Sequence, residues 1–169
     1  SLFPQGGPKY SEAVTRGVRV TASSIYVAEV GMFVYSIRLK LLSPAEEGGL
    51  SASERGFETC QLKERKWLLA QRDGPPEVVQ GLGVVGRFPL LREGGWREDR
   101  QTDASGRIAT GKDNSGIFIY QSMSGRGPTC AFEGEITMVP GSIHRPTGEP
   151  FQVTVARFPL EAGADEFLF

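Results

Sequence analysis

The fold is decided by the stretch CQLKERKWLLAQRDGPPEVVQGLGVVGRFPLL, which runs from Cys60 to Leu91. Branched and aromatic residues around Trp67 predict a strand, because such side chains suit a pleated surface. Asp73-Gly74 followed by Pro75-Pro76 predicts a turn, since glycine accepts positive φ and proline fixes its own φ. A G-x-G-x-x-G pattern comes next, and its interpretation decides which functions stay open.

The glycines of this pattern are Gly81, Gly83 and Gly86. A dinucleotide site needs such glycines between a strand and a helix, because the helix N-terminus holds the pyrophosphate. Here Arg87-Phe88 is followed by Pro89, which lacks an N–H and disfavours helical backbone at the preceding residue. We therefore predict that the glycines shape a bend or bulge between strands. The alternative is a surface phosphate held by their N–H groups and by Arg87.

Composition favours an all-β protein of ordinary charge. The chain has 169 residues, which is enough for one domain with a sizeable core. The sequence has 19 Lys and Arg residues and 20 Asp and Glu residues, which gives a formal net charge of −1. Because this charge offers no bulk attraction to polyanions, we predict neither nucleic acid nor a membrane as partner. The 22 glycines and 11 prolines indicate many turns.

The residues with metal-binding or redox chemistry are few and scattered. Cys60 and Cys130 lie far apart in no metal spacing, which predicts reduced thiols in an intracellular protein, cytoplasmic or nuclear. The single histidine, His144, lies in a predicted loop, so we predict no metal site and no cofactor. No apolar run reaches membrane-spanning length, and no signal peptide is visible. The abrupt start at Ser1 leads us to expect a domain cut from a longer protein.

Alternating apolar residues predict strands outside the opening stretch as well. Gly31 to Leu42 places Phe33, Tyr35, Ile37, Leu39 and Leu41 on one face. The last third of the chain alternates in the same way from Phe118 to Phe158. Many short strands without a convincing helix predict an antiparallel β-sandwich of seven or more strands, and the pattern alone leaves a barrel open.

Three polar segments lack this alternation. Residues 1–16 are predicted as an entry loop, and residues 43–59 and 92–116 as loop insertions. Each insertion is either idle or a contact surface, because loops carry function disproportionately. In the second insertion Trp96, with Arg97 and Arg100 beside it, is a candidate partner-binding surface, since tryptophan is favoured at interfaces. The alternative is that Trp96 folds back onto the sandwich.

The opening stretch also carries a family resemblance. Gln61-Leu62, Arg65 and Trp67, then Val79, the three glycines and Pro89, resemble the ApaG domain hallmark Q-L-x-x-R-x-W followed by V-x-G-x-G-V-V-G-x-x-P. The resemblance implies one ApaG domain over residues 1–169 with a fibronectin-III or immunoglobulin-like sandwich. We assign structural roles to five positions: Trp67, Phe88, Pro89, Tyr120 and Phe158.

The chain ends depart from the bacterial pattern and resemble a narrower group. Ala156 stands where the family usually has proline. Phe3-Pro4-Gln5, Val139-Pro140-Gly141-Ser142-Ile143 and Phe158-Pro159-Leu160 resemble the ApaG domain of plant and green-algal F-box proteins. In those proteins the ApaG domain lies C-terminal to an F-box.

The resemblance implies a protein-binding module, the part of an F-box-type ubiquitin ligase that recruits substrate, with another protein as its partner. The alternative is a small-ligand module that binds a nucleotide or polyphosphate at the glycine-rich turn. An enzyme is not expected, because the sequence offers one histidine, no Cys–His pairing and no metal motif.

Overall fold

The computed structural model describes residues 3–102, 104–124 and 129–161, and these form eleven strands and one short helix. The elements in chain order are β1 (Tyr10–Thr15), β2 (Val18–Val27), β3 (Met32–Leu41), α1 (Ala52–Arg55), β4 (Cys60–Gln71), β5 (Glu77–Leu82), β6 (Leu90–Arg92), β7 (Gly95–Thr102), β8 (Ile108–Ser115), β9 (Phe118–Ser124), β10 (Thr129–Pro140) and β11 (Phe151–Pro159).

The strands form two antiparallel sheets. The smaller has the order β1-β2-β3-β9, and the larger has the order β11-β10-β4-β6-β7-β8, with β5 also paired to β4. The predicted antiparallel sandwich of the fibronectin-III or immunoglobulin-like kind is confirmed, and two separate sheets take the place of a barrel.

The core lies between the two sheets and is filled by the alternating side chains of both. On β3 the predicted inner face is confirmed, because Tyr35, Ile37, Leu39 and Leu41 are buried. Trp67 on β4 is 3% exposed, and its ring lies 4.9 Å from that of Phe132 on β10. Phe132 in turn contacts Tyr35 of the other sheet, with ring centroids 4.8 Å apart. Aromatic contacts of this kind join the two layers at their centre.

The first insertion is not a plain loop, because it contains α1. Ser51 caps this helix by accepting the Glu54 N–H, and the Glu54 carboxylate accepts the Ser51 N–H. This reciprocal capping box has the sequence pattern S-x-x-E, which apolar periodicity does not reveal. Our prediction of no helix is wrong at this one place.

Arg55, the last residue of α1, anchors the insertion to the sandwich. Its side chain is 2% exposed and donates hydrogen bonds to Phe57 O and Leu50 O, both at 2.8 Å. It also pairs with Glu93, just after β6, at 3.1 Å. A buried cation is costly unless it is paired and hydrogen-bonded, so these contacts hold the segment in one conformation.

The second insertion and the entry loop also differ from prediction. Residues 92–116 contain the end of β6 and the strands β7 and β8, which extend the larger sheet. Residues 1–16 contain β1, an edge strand of the smaller sheet. Where side-chain burial is described, most residues of both segments are exposed or half-buried, and neither segment shows the clean apolar alternation from which strands are predicted.

The edges of the two sheets meet on one side of the sandwich. The Ser11 hydroxyl of β1 donates to Ala156 O of β11 at 2.6 Å, and the Thr154 N–H of β11 donates to the Thr15 hydroxyl of β1 at 3.3 Å. These bonds join the edge of one sheet to the edge of the other. At the other end of the strand orders lie β9 in the smaller sheet and β8 in the larger, with β5 as a further edge strand beside β4.

We expect Trp67→Ala to lower the free energy of unfolding by about 3–5 kcal/mol, from lost transfer energy and the cavity left against Phe132. Leu68→Ala is the control, since Leu68 is only half-buried and points to the outer face of β4. Chemical denaturation measures both. Equal losses for the two variants would contradict the facing of β4.

Candidate functional site

The glycine-rich segment forms a tight turn and leads into no helix. After β5, the Val84 N–H donates to Arg87 O and the Arg87 N–H donates to Val84 O, both at 2.9 Å. The two residues between them, Val85 and Gly86, have φ values of 50° and 72°. Positive φ at both central residues is the signature of a type I′ turn, so the predicted bend is observed.

Two of the glycines allow close approach within this segment. Gly83 has φ of 63°, and an added Cβ would lie 2.7 Å from Arg87 O and 3.1 Å from the Phe88 ring. At Gly81 an added Cβ would lie 2.8 Å from the Arg65 guanidinium. The pattern therefore answers local packing demands.

Two residues of the Q-L-x-x-R-x-W motif hold this segment in place. The Arg65 guanidinium donates to Gly83 O at 2.8 Å and to Leu82 O at 3.2 Å. The Gln61 side chain, which is 0% exposed, donates to Phe88 O at 3.0 Å and accepts the Ile143 N–H at 2.8 Å. We call Gln61, Arg65 and the segment 81–89 that they hold the glycine clasp.

The glycine clasp has few donors left for a phosphate. The N–H groups of Gly83, Val84 and Arg87 all donate within the chain, to Lys63 O, Arg87 O and Val84 O respectively. The Arg87 guanidinium pairs with Glu98 at 3.0 Å and lies over the Phe118 ring, 4.7 Å from its centroid. A phosphate would have to displace these partners, so the geometry does not favour the small-ligand alternative.

The candidate partner-binding residues lie beside the clasp. The half-buried Trp96 ring meets Phe118 edge-on, with centroids 5.0 Å apart, and Arg87 lies 5.5 Å from the Trp96 centroid. Trp96 thus folds back onto the sandwich. Arg97 is half-buried, and Arg100 belongs to a part of β7 whose side chains lie outside the described residues. The structure therefore brings together Arg87 and Trp96, which the sequence had assigned to separate sites.

Two buried donors in this cluster have no acceptor in the described part of the chain, namely Arg87 Nε and Trp96 Nε1. Both atoms lie beneath the surface, where a ligand in solution does not touch them. The five positions assigned structural roles are also buried: Trp67, Phe88, Pro89, Tyr120 and Phe158.

The described residues contain no group of three or more His, Cys, Asp or Glu placed to hold a metal ion. Cys60 and Cys130 are free thiols, as predicted, and burial raises the pKa of Cys60 to about 12, so that thiol stays protonated at neutral pH. Burial also raises the pKa of Tyr120 well above its usual value. Neither group is an activated nucleophile.

A shallow groove of about 400 Å³ lies on the outer face of the larger sheet, across β5, β4, β10 and β11. Its walls are mostly polar or charged, with Lys63, Lys66, Gln80, Glu135 and Gln152 among them. Small-molecule sites are usually enclosed and lined by apolar side chains. This groove therefore has the character of an open protein surface.

Exposed apolar side chains are concentrated on two strands and the turns beside them. Eight large apolar residues are exposed in the described part of the chain, and six of them belong to β5, β9 or the turns beside them. We call this surface the open edge; its members are Val78, Leu82, Val85, Ile117, Ile119 and Met123. The sequence could not reveal it, because which apolar side chains stay exposed depends on packing between residues far apart in the chain.

No helix in the described residues has both the length and the apolar character needed to cross a membrane.

We expect Gly83→Ala to destabilise the protein more than Gly86→Ala does. Both glycines have positive φ, which costs alanine about 1 kcal/mol or more. Only Gly83 also has backbone and ring atoms where the methyl group would lie, whereas nothing lies within 4 Å at Gly86. Thermal or chemical denaturation should give about 2–4 kcal/mol for Gly83→Ala. Equal losses would show that the clasp is not tightly packed.

We expect Gln61→Leu to cost about 2–6 kcal/mol, because it leaves the buried Phe88 carbonyl and Ile143 N–H without their partner. Gln121→Leu is the control, since Gln121 is exposed on β9 and its change should stay within about 0.5 kcal/mol. Urea unfolding of the two variants makes the comparison. A loss at Gln61 no larger than the control would remove the clasp from its structural role.

Comparison with known proteins supports the family resemblance drawn from the clasp residues. The family model described as the ApaG domain (DUF525) matches residues 24–97. The F-box protein SKIP16 of Arabidopsis thaliana is 32% identical over 95% of this chain, which spans 34% of that protein. F-box only protein 3 of Homo sapiens is 26% identical over 92% of this chain, which spans 30% of that protein. The chain thus spans about a third of the F-box relatives.

Two further matches concern proteins of similar size. A crystal structure described as that of an ApaA protein from Bordetella pertussis superposes with a TM-score of 0.58 at 21% identity, covering 94% of this chain and 99% of that one, and it shows the common fold. Protein ApaG of Pseudomonas paraeruginosa is 31% identical over 99 residues, which are 56% of this chain and 74% of that protein. The resemblance drawn from the clasp residues is therefore confirmed, and the chain belongs to the ApaG domain family.

Proposed function

We propose that this chain is a non-enzymatic protein-binding module that serves as the substrate-recognition domain of an F-box-type ubiquitin ligase subunit. The observation that carries the proposal is the open edge, whose strands and turns carry most of the exposed large apolar side chains in the described residues. Its partner is another protein, met in the cytoplasm or nucleus, and neither nucleic acid nor a membrane.

The open edge supports a protein partner on physical grounds. Monomeric proteins rarely expose contiguous apolar surface, and such patches commonly mark contact sites. Leu82 and Val85 are each 64% exposed, and Met123 is 49% exposed. Burying a side chain of this size in an interface contributes about 1.5–3 kcal/mol. The near-neutral net charge offers no comparable bulk attraction for nucleic acid.

The comparisons support the F-box part of the proposal. SKIP16 and F-box only protein 3 match more than nine-tenths of this chain, well beyond the 24–97 segment that defines the family. The likeness therefore includes the segments before and after the glycine clasp. A shared role in recruiting substrate is the proposal that follows from this coverage.

The first experiment separates protein binding from nucleotide binding. Because the clasp N–H groups and Arg87 have internal partners, we expect ATP and diadenosine tetraphosphate to bind no better than millimolar, about −4 kcal/mol, in calorimetry. Micromolar affinity that is lost in Arg87→Ala, at an unchanged melting temperature, would instead establish the small-ligand module.

The second experiment tests the open edge with matched surface variants. The double variant Leu82→Lys/Ile119→Lys changes one residue on each strand of the open edge. Val14→Lys/Val30→Lys is the control, since both valines are exposed elsewhere. In quantitative affinity capture from cells, the wild type and the control should retain the same proteins. The open-edge variant should retain at least about tenfold less of them, which corresponds to about 1.4 kcal/mol of binding free energy. Equal retention by all three proteins would refute the proposed surface.

A further inference from the structure

Strand β5 has one paired side and one unpaired side. It pairs with β4 over Glu77–Leu82, and no second strand pairs with it in the described residues. Strand β6 also pairs with β4, but its other side is paired with β7. Of these two strands, β5 is therefore the one with an unpaired side in the described residues. An edge strand of this kind presents a row of backbone N–H and C=O groups.

The register shows which groups these are. The Gly83 N–H donates to Lys63 O, and this pair continues the β4–β5 register in which Gly81 lies opposite Arg65. In an antiparallel ladder, hydrogen-bonded and non-hydrogen-bonded pairs alternate. Val79 and Gly81 therefore bond to β4. The N–H and C=O groups of the intervening residues Val78, Gln80 and Leu82 point away from β4, and of these the Leu82 carbonyl already accepts from the Arg65 side chain at 3.2 Å.

The side chains of the same three residues share the outer face of the sheet, since residues two apart on a strand point the same way. All three side chains are exposed, and those of the first and last residues, Val78 and Leu82, are apolar. Natural edge strands are usually protected by charged residues, prolines or bulges. From Val78 to Leu82 the strand has no charge and no proline, although Pro75 and Pro76 lie just before it.

We propose that β5 binds an extended segment of the partner protein, which adds to the larger sheet as a further strand. The inference rests on the proposed function and names the form of the partner. The outward backbone groups of Val78 and Gln80, together with the Leu82 N–H, match backbone partners at strand spacing, which a helix or a folded convex surface does not supply. Val78 and Leu82 favour apolar neighbours, and Gln80 favours a polar one. The added segment therefore has the pattern apolar-x-polar-x-apolar.

The probe is a random library of peptides of about twelve residues, displayed and selected on the immobilised chain. We expect the selected peptides to converge on apolar-x-polar-x-apolar and to bind in fluorescence anisotropy. Gln80→Pro removes an outward N–H and no bond to β4, so the strand is retained. It should weaken binding at least about tenfold, whereas Gln80→Thr, which keeps the N–H, should change it less than about threefold.

A second measurement does not depend on the protein variant. N-methylation of one peptide residue at a time should abolish binding at alternate positions only, because alternate residues face β5. A uniform effect, convergence on a helical pattern, or binding that Gln80→Pro leaves unchanged would each overturn strand addition. A concentration-dependent dimer of the chain, abolished by Gln80→Pro in sedimentation, would also overturn it by giving the edge to a second copy.

The outcomes also separate this inference from the proposed function. If no peptide binds while cellular capture still depends on Leu82 and Ile119, strand addition fails and the protein-binding module stands. If peptides bind β5 but capture from cells is insensitive to the open edge, strand addition stands and the proposed cellular role of that surface fails.

Discussion

The buried amide of Gln61 is the interaction on which the rest of the structure depends. Its NH₂ group satisfies Phe88 O and its oxygen satisfies the Ile143 N–H, so one side chain joins β4 to the segment before β6 and to the turn after β10. Without Gln61, Phe88 O would lie unpaired in the interior and the Ile143 N–H would lose its partner at a half-buried position. Arg65, four residues along the same strand, secures the turn by its bonds to Leu82 and Gly83. Strand β4 therefore holds both the centre of the larger sheet and the glycine-rich turn after β5.

This arrangement explains how a nucleotide-like glycine pattern arises without a nucleotide site. The glycines permit a type I′ turn, a close contact with Phe88 and the passage of the Arg65 side chain. Each of these demands concerns space within the chain. The turn also uses its own N–H groups, and Arg87 is engaged by Glu98 and by two aromatic rings. A helix N-terminus would leave such donors free for an anion, whereas a hairpin turn does not.

The edge strands of the two sheets differ in a way that bears on recognition. On one side, Ser11 and Thr15 of β1 bond to the backbone of β11 and join the edges of the two sheets. Elsewhere, β5 and β9 carry apolar side chains into solvent. An edge that is unpaired and apolar tends to acquire a strand, and a protein that must recruit partners can use that tendency directly. The proposed substrate-recognition role uses these two strands and leaves the clasp to maintain the fold.

The sequence by itself determined the antiparallel all-β class, the core facing of residues such as Tyr35 and Trp67, and the turn at the glycines, because alternation and turn chemistry are local. The pattern left a barrel open, and the tertiary structure decided for two separate sheets. The capping box of Ser51 and Glu54 was also readable, although apolar periodicity does not reveal it. The β7–β8 ribbon could not be predicted, since its mixed charges give no alternation on a hairpin that extends the sheet. Only the tertiary structure decided that Trp96 packs on Phe118 beside Arg87 and that one side of β5 stays unpaired. Those features depend on which strands become neighbours, and sheet order is set by packing between residues far apart in the chain.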